Sequence, residues 1–99
     1  MLNIEKTIDA SELTITLTGR LDTTTAPELE KQLNAALDGI TALTFDMAAL
    51  EYISSAGLRV LLSAQKIMNR QGKMKVLHVN ETILEIFEVT GFTDILTIE

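Results

Sequence analysis

From Leu13 to Thr18 the chain alternates apolar and hydroxyl side chains without a break, the pattern of a strand with one buried and one polar face. Leu2 to Ile8 is β-branched enough to pair with it, and Asp9-Ala10-Ser11-Glu12 supplies the turn, so the N-terminus predicts an antiparallel hairpin ended by Gly19-Arg20-Leu21-Asp22. The period then changes. Leu29, Leu33, Ala36 and Leu37 recur at helical spacing behind Thr25-Ala26-Pro27-Glu28, which has the order of a capping box, and Asp38-Gly39 closes that helix. Ala42 to Met47 carries few charges and reads as a central strand. Leu58, Leu61, Leu62, Ala64 or Gln65, and Met68 mark a second helix from about Ser55 to Asn69, stopped by Gln71-Gly72. Lys73 to Val79 predicts a strand, and Asn80 the cap of a third helix holding Ile83, Leu84, Ile86, Phe87 and Val89, with Gly91 as its stop. Ile95 to Ile98 predicts a last strand. Strands alternating with helices imply parallel pairing through right-handed crossovers. The expected fold is α/β: a mixed, mostly parallel sheet with an N-terminal antiparallel strand and packed helices.

Composition narrows the function more than the fold. Ninety-nine residues, 46% hydrophobic and 22% charged, suit one domain over residues 1–99 with a single core. Eight lysines and arginines against fourteen aspartates and glutamates leave a formal charge of −6, and no basic cluster suggests a nucleic-acid partner. Cysteine is absent, which removes disulfide and thiolate chemistry and fits a reducing cytoplasm. No apolar run approaches the length of a membrane span, so a cytoplasmic protein without membrane insertion is expected.

Catalysis finds little support. His78 is the one histidine, no Gly-x-Ser-x-Gly elbow or phosphate-binding Gly-Lys-Ser/Thr loop is present, and no His or Cys cluster could hold a transition metal. The expectation is a protein that is not an enzyme and has neither catalytic residues nor a metal or cofactor of its own. Asp22, Asp46 and Glu51 are scattered in sequence, but would form an acidic rim if folding brought them to Ser55. The most informative stretch is Leu50-Glu51-Tyr52-Ile53-Ser54-Ser55-Ala56-Gly57-Leu58, where strand gives way to helix. A hydroxyl at that boundary can accept from an unpaired first-turn N–H, and the helix end tolerates added negative charge, so a phosphate is admissible there. Gly57, costly inside a helical turn by about 1 kcal/mol, implies either tight packing or close approach of a partner to Ser55.

Ile53-Ser54-Ser55-Ala56-Gly57-Leu58, with Phe45-Asp46 before it, Arg59-Val60-Leu61-Leu62 after it and Gly19-Arg20-Leu21-Asp22 upstream, resembles the signature of the STAS domain of bacterial anti-sigma factor antagonists. The resemblance spans about Ile4 to Ile98 and implies a single STAS-like domain. It also implies phosphorylation of the residue two before the glycine, Ser55, by an anti-sigma factor that is a serine kinase of the histidine-kinase-like ATPase fold. ATP and magnesium would belong to that kinase, and a serine phosphatase would reset the switch. Where the family often carries aspartate before the phosphorylated residue this chain has Ser54, which leaves Ser54 as the alternative acceptor. Asp22, Ser54, Ser55, Ala56, Gly57 and Arg59 are the expected partner-binding residues. The same resemblance admits an accessory subunit that binds a transporter ATPase; a constitutive scaffold, with Ser55 only a helix cap, is the remaining alternative.

Overall fold

The computed structural model describes residues 2–99. Its elements are β1 (Leu2–Asp9), β2 (Glu12–Leu21), α1 (Ala26–Ala36), β3 (Ala42–Ile53), α2 (Ser55–Gln71), β4 (Lys73–Leu77) and α3 (Glu81–Thr90), followed by a 3-10 turn at Phe92–Asp94. The sheet order is β1-β2-β3-β4, with β1 antiparallel to β2 and the other two pairings parallel. Both crossovers step the same way across the sheet. Right-handed connections of that kind put α1 and α2 on one face, the face carrying Leu13, Ile15 and Leu17 from β2 and Leu43, Phe45 and Met47 from β3, all buried. Thr14, Thr16 and Thr44 on the other face are half-buried, as the alternation requires.

Four expectations are corrected. The third strand runs on past Met47 to Ile53, because a register shift between Thr16 and Thr18 absorbs one extra residue, leaving Ala48 and Ala49 exposed in succession. A bulge of that kind breaks the two-residue period, so the continuation is hidden from a pattern search. Thr25 does not cap α1: its hydroxyl is taken up by the preceding turn, accepting from Asp22 N at 2.8 Å and donating to Arg20 O at 2.9 Å. The strand from Lys73 ends at Leu77, since His78 turns into the left-handed region with φ of 59°. Finally, Ile95 to Ile98 makes one parallel bridge, Val76 to Ile98, instead of a strand. Gly91 adopts φ of 80° and leads into the 3-10 turn, which holds the chain off the β4 edge until Thr97.

Among the described residues one core group is mismatched. Gln65 is 8% exposed, donates from Nε2 to Asn69 Oδ1 at 2.8 Å, and leaves Oε1 without a partner. An unpaired buried carbonyl costs about 1–3 kcal/mol, more than the single hydrogen bond returns. Gln65→Met, which keeps the volume and removes the orphan, is therefore expected to stabilise the fold by about 1 kcal/mol. Urea unfolding checks this as a higher midpoint at unchanged slope.

Candidate functional site

The β2–α1 and β3–α2 turns lie side by side because both follow the C-terminal ends of neighbouring parallel strands, the edge at which open α/β sheets present their sites. They are joined directly. Leu21 pairs with Ile53, and Ser54 N donates to Leu21 O at 2.8 Å. Asp22 and the serines, far apart in sequence, are thus held in adjacent turns.

The two hydroxyls have different surroundings. Ser54 is extended (φ −95°, ψ 175°) and is the N-cap of α2, its Oγ accepting from Gly57 N at 3.3 Å and its carbonyl from Leu58 N at 2.9 Å. Ser55 is the first helical residue and exposed, and its hydroxyl makes no hydrogen bond among the described residues. Ser55 as the cap of α2 is therefore corrected: the cap is Ser54. Ala56 is half-buried and Arg59 exposed. Gly57 is buried, and a Cβ there would stand 2.7 Å from Leu21 Cγ and 2.9 Å from Ile53 Cγ1. The space left by its missing side chain is filled by the ends of β2 and β3.

Asp22 organises the neighbouring turn. Its Oδ1 accepts from the Thr24 hydroxyl at 2.7 Å, Thr24 N at 3.0 Å and Thr25 N at 3.1 Å, and its carbonyl from Ala26 N at 2.8 Å. The Thr24 hydroxyl foremost, with the Thr24 and Thr25 amides, holds the carboxyl below its ordinary range. Asp46 is lowered too, first by Ala48 N and then by His78, whose Nδ1 lies 3.1 Å from Asp46 Oδ1. That places Asp46 at the bulge, about 20 Å of strand before Ile53, so it does not join an acidic rim at Ser55. Among the described residues no group of three potential metal ligands converges.

These two carboxylates set a pH dependence. Both have folded pKa values below the 3.8 of the free side chain, so their stabilisation is present above that value and is lost as pH falls through the folded pKa. Stability in urea is expected to drop as pH falls below about 4, and to drop less steeply in Asp22→Asn and Asp46→Asn.

Two features escape the sequence pattern. Arg20 stacks its guanidinium 4.5 Å from the centroid of Tyr52, with Nε 4.0 Å from Asp22 Oδ2; only the strand register places those residues together. A shallow groove of about 160 Å3 runs between the starts of α1 and α2, lined by Thr23, Ala26, Pro27, Glu30, Ala56, Arg59 and Val60. Its signal was the shared position of both helices after parallel strands, which identifies an edge without identifying side chains.

Comparison with known proteins agrees with this arrangement. Residues 3–99 match the model of the STAS domain. BtrV of Bordetella bronchiseptica, named as a candidate anti-sigma factor antagonist, is 37% identical over 84 residues, covering 83% of this chain and 72% of BtrV. The anti-sigma-B factor antagonist of Staphylococcus aureus is 32% identical over 97 residues, covering 96% and 90%. Among solved structures, an anti-sigma factor antagonist from Mycobacterium paratuberculosis superposes with a TM-score of 0.89 at 21% identity, covering 99% of this chain and 85% of the other. The Bacillus cell-fate determinant SpoIIAA in its phosphorylated form gives 0.76 at 17%, covering 100% and 91%. No helix among the described residues is long and apolar enough to cross a membrane. The chain belongs to the STAS-domain family of anti-sigma factor antagonists.

Proposed function

We propose that residues 1–99 act as one phosphorylation-controlled docking domain in the cytoplasm, with no catalytic activity of its own. With Ser55 unmodified, the surface formed by Asp22, Ser54, Ser55, Ala56, Gly57 and Arg59 docks on an anti-sigma factor that is also a serine kinase of the histidine-kinase-like ATPase fold. The factor held by that partner is then released. The observation that carries this reading is the division of labour between the serines: Ser54 caps the helix, which leaves the exposed Ser55 hydroxyl free of structural duty. Gly57 belongs to the surface through its packing, which fixes the loop's shape.

In the transfer, Ser55 Oγ bonds to the γ-phosphorus of ATP as the β–γ bridging P–O bond breaks. ADP leaves, and the hydroxyl proton passes to a base on the kinase. The product carries about 1.5 to 2 additional negative charges beside Asp22, at a helix end that tolerates them. The fold survives and the docking surface goes from formally neutral to net negative. A serine phosphatase restores the hydroxyl.

Capture from lysate of the source cell tests the reading. Unmodified protein is expected to retain a kinase-like ATPase that the form carrying phosphoserine at position 55 does not. Retention of a transporter ATPase by both forms, or equal retention of the kinase by both, would overturn it.

A further inference from the structure

We infer that Arg59 is the internal counter-ion of a phosphate on Ser55, drawn back along α2 and out of the groove that it lines with Glu30. The inference rests on phosphorylation of Ser55 and adds the residue that receives the charge. Ser55 is the first residue of α2 and Arg59 stands four positions on, both exposed. Residues so spaced share a helix face with Cβ atoms about 5–6 Å apart, and long side chains on a helix lean toward its N-terminus. The arginine therefore reaches back toward the serine, and acid before base is the favoured order for such a pair.

Arg59 is also uncommitted. Among the described residues the carboxylate contacts within salt-bridge distance are those of Arg20 with Asp22 and His78 with Asp46, so Arg59 has none. Arg20, the other cation near the loop, is already placed over Tyr52 and beside Asp22. The unmodified protein thus shows a partner an arginine and a glutamate across a shallow groove, whereas the phosphorylated protein shows it a glutamate beside a phosphate whose charge is partly offset. Modification at one residue changes the surface on two helices.

The test installs phosphoserine at position 55 during translation of the full chain and follows the second phosphate ionisation by phosphorus NMR. A nearby cation favours the dianion and lowers that pKa. Arg59→Gln is expected to raise it by roughly 0.3 units at low salt, Arg59→Lys to restore most of the difference, and Arg20→Gln to leave it unchanged. An unchanged titration in Arg59→Gln, or a rise in Arg20→Gln in its place, would overturn the assignment. Because the phosphate is installed without a kinase, this failure is distinct from failure of the proposed function, which shows itself as a kinase that does not use Ser55.

Discussion

Gly72→Ala is expected to destabilise the protein by roughly 2–4 kcal/mol, lowering Tm by about 10 °C or more. The reason lies in backbone and not in a movable side chain. A Cβ at position 72 would overlap the carbonyl group of Thr41. That carbonyl accepts from Lys73 N at 2.9 Å, while Thr41 N donates to Ser11 O at 2.8 Å. Gln71 Nε2 ties the same region down, donating to Leu37 O at 2.6 Å and Ile40 O at 2.7 Å. Thr41 cannot yield without loosening the hairpin turn, the end of α1 and the start of β4 together. Gly39→Ala is the contrast. There the added methyl meets open space and only the φ of 80° opposes it, so a cost of about 1 kcal/mol is expected. Paired thermal melts check both, and equal small losses would show that the α2–β4 turn relaxes freely.

Asn80→Ala is expected to cost about 2–3 kcal/mol, because the side chain does two things at once. Its Oδ1 accepts from Ile83 N at 3.0 Å, capping α3, and its Nδ2 donates to Leu50 O at 2.8 Å. Leu50 is buried on β3 shortly before the Ser54 turn, so truncation leaves its carbonyl unpaired as well as uncapping the helix. Asn80→Ser keeps a capping oxygen and loses the donor, and is expected to cost about half as much. Urea melts of the two variants separate the roles; equal losses would place the whole effect in the bond to Leu50. Neither variant touches Ser55, so on the proposed function both are expected to accept phosphate there while folded.

Much of this architecture is legible in the sequence where a residue has one dominant neighbour environment. Leu13, Ile15 and Leu17 alternate with threonines because a sheet has two faces, and Asn80 caps because Ile83 begins an apolar helical stripe. Legibility fails where two interactions compete for one group. Thr25 has the residue type and spacing of a cap, yet its hydroxyl is claimed by the turn that Asp22 builds. It fails again where a single residue decides. The pair Ser54-Ser55 announces a helix start, but which hydroxyl caps depends on helical geometry beginning at Ser55 and not one residue later. Arg20 and Tyr52 meet only because a bulge in β3 resets the register, and the groove between α1 and α2 requires the sheet order before it can exist. The candidate loop was therefore visible in sequence, whereas its electrostatic surroundings required three dimensions.

The division of roles between Ser54 and Ser55 carries the functional account, and phosphopeptide mapping of the protein purified from its native cell tests it most directly, with Ser55→Ala and Ser54→Ala alongside. The account predicts one phosphate, abolished by Ser55→Ala and retained in Ser54→Ala, which loses the stabilisation of its helix cap. A phosphate that persists in Ser55→Ala and disappears in Ser54→Ala would contradict it. So would the absence of phosphate under every growth and stress condition while Ser55→Ala remains functional.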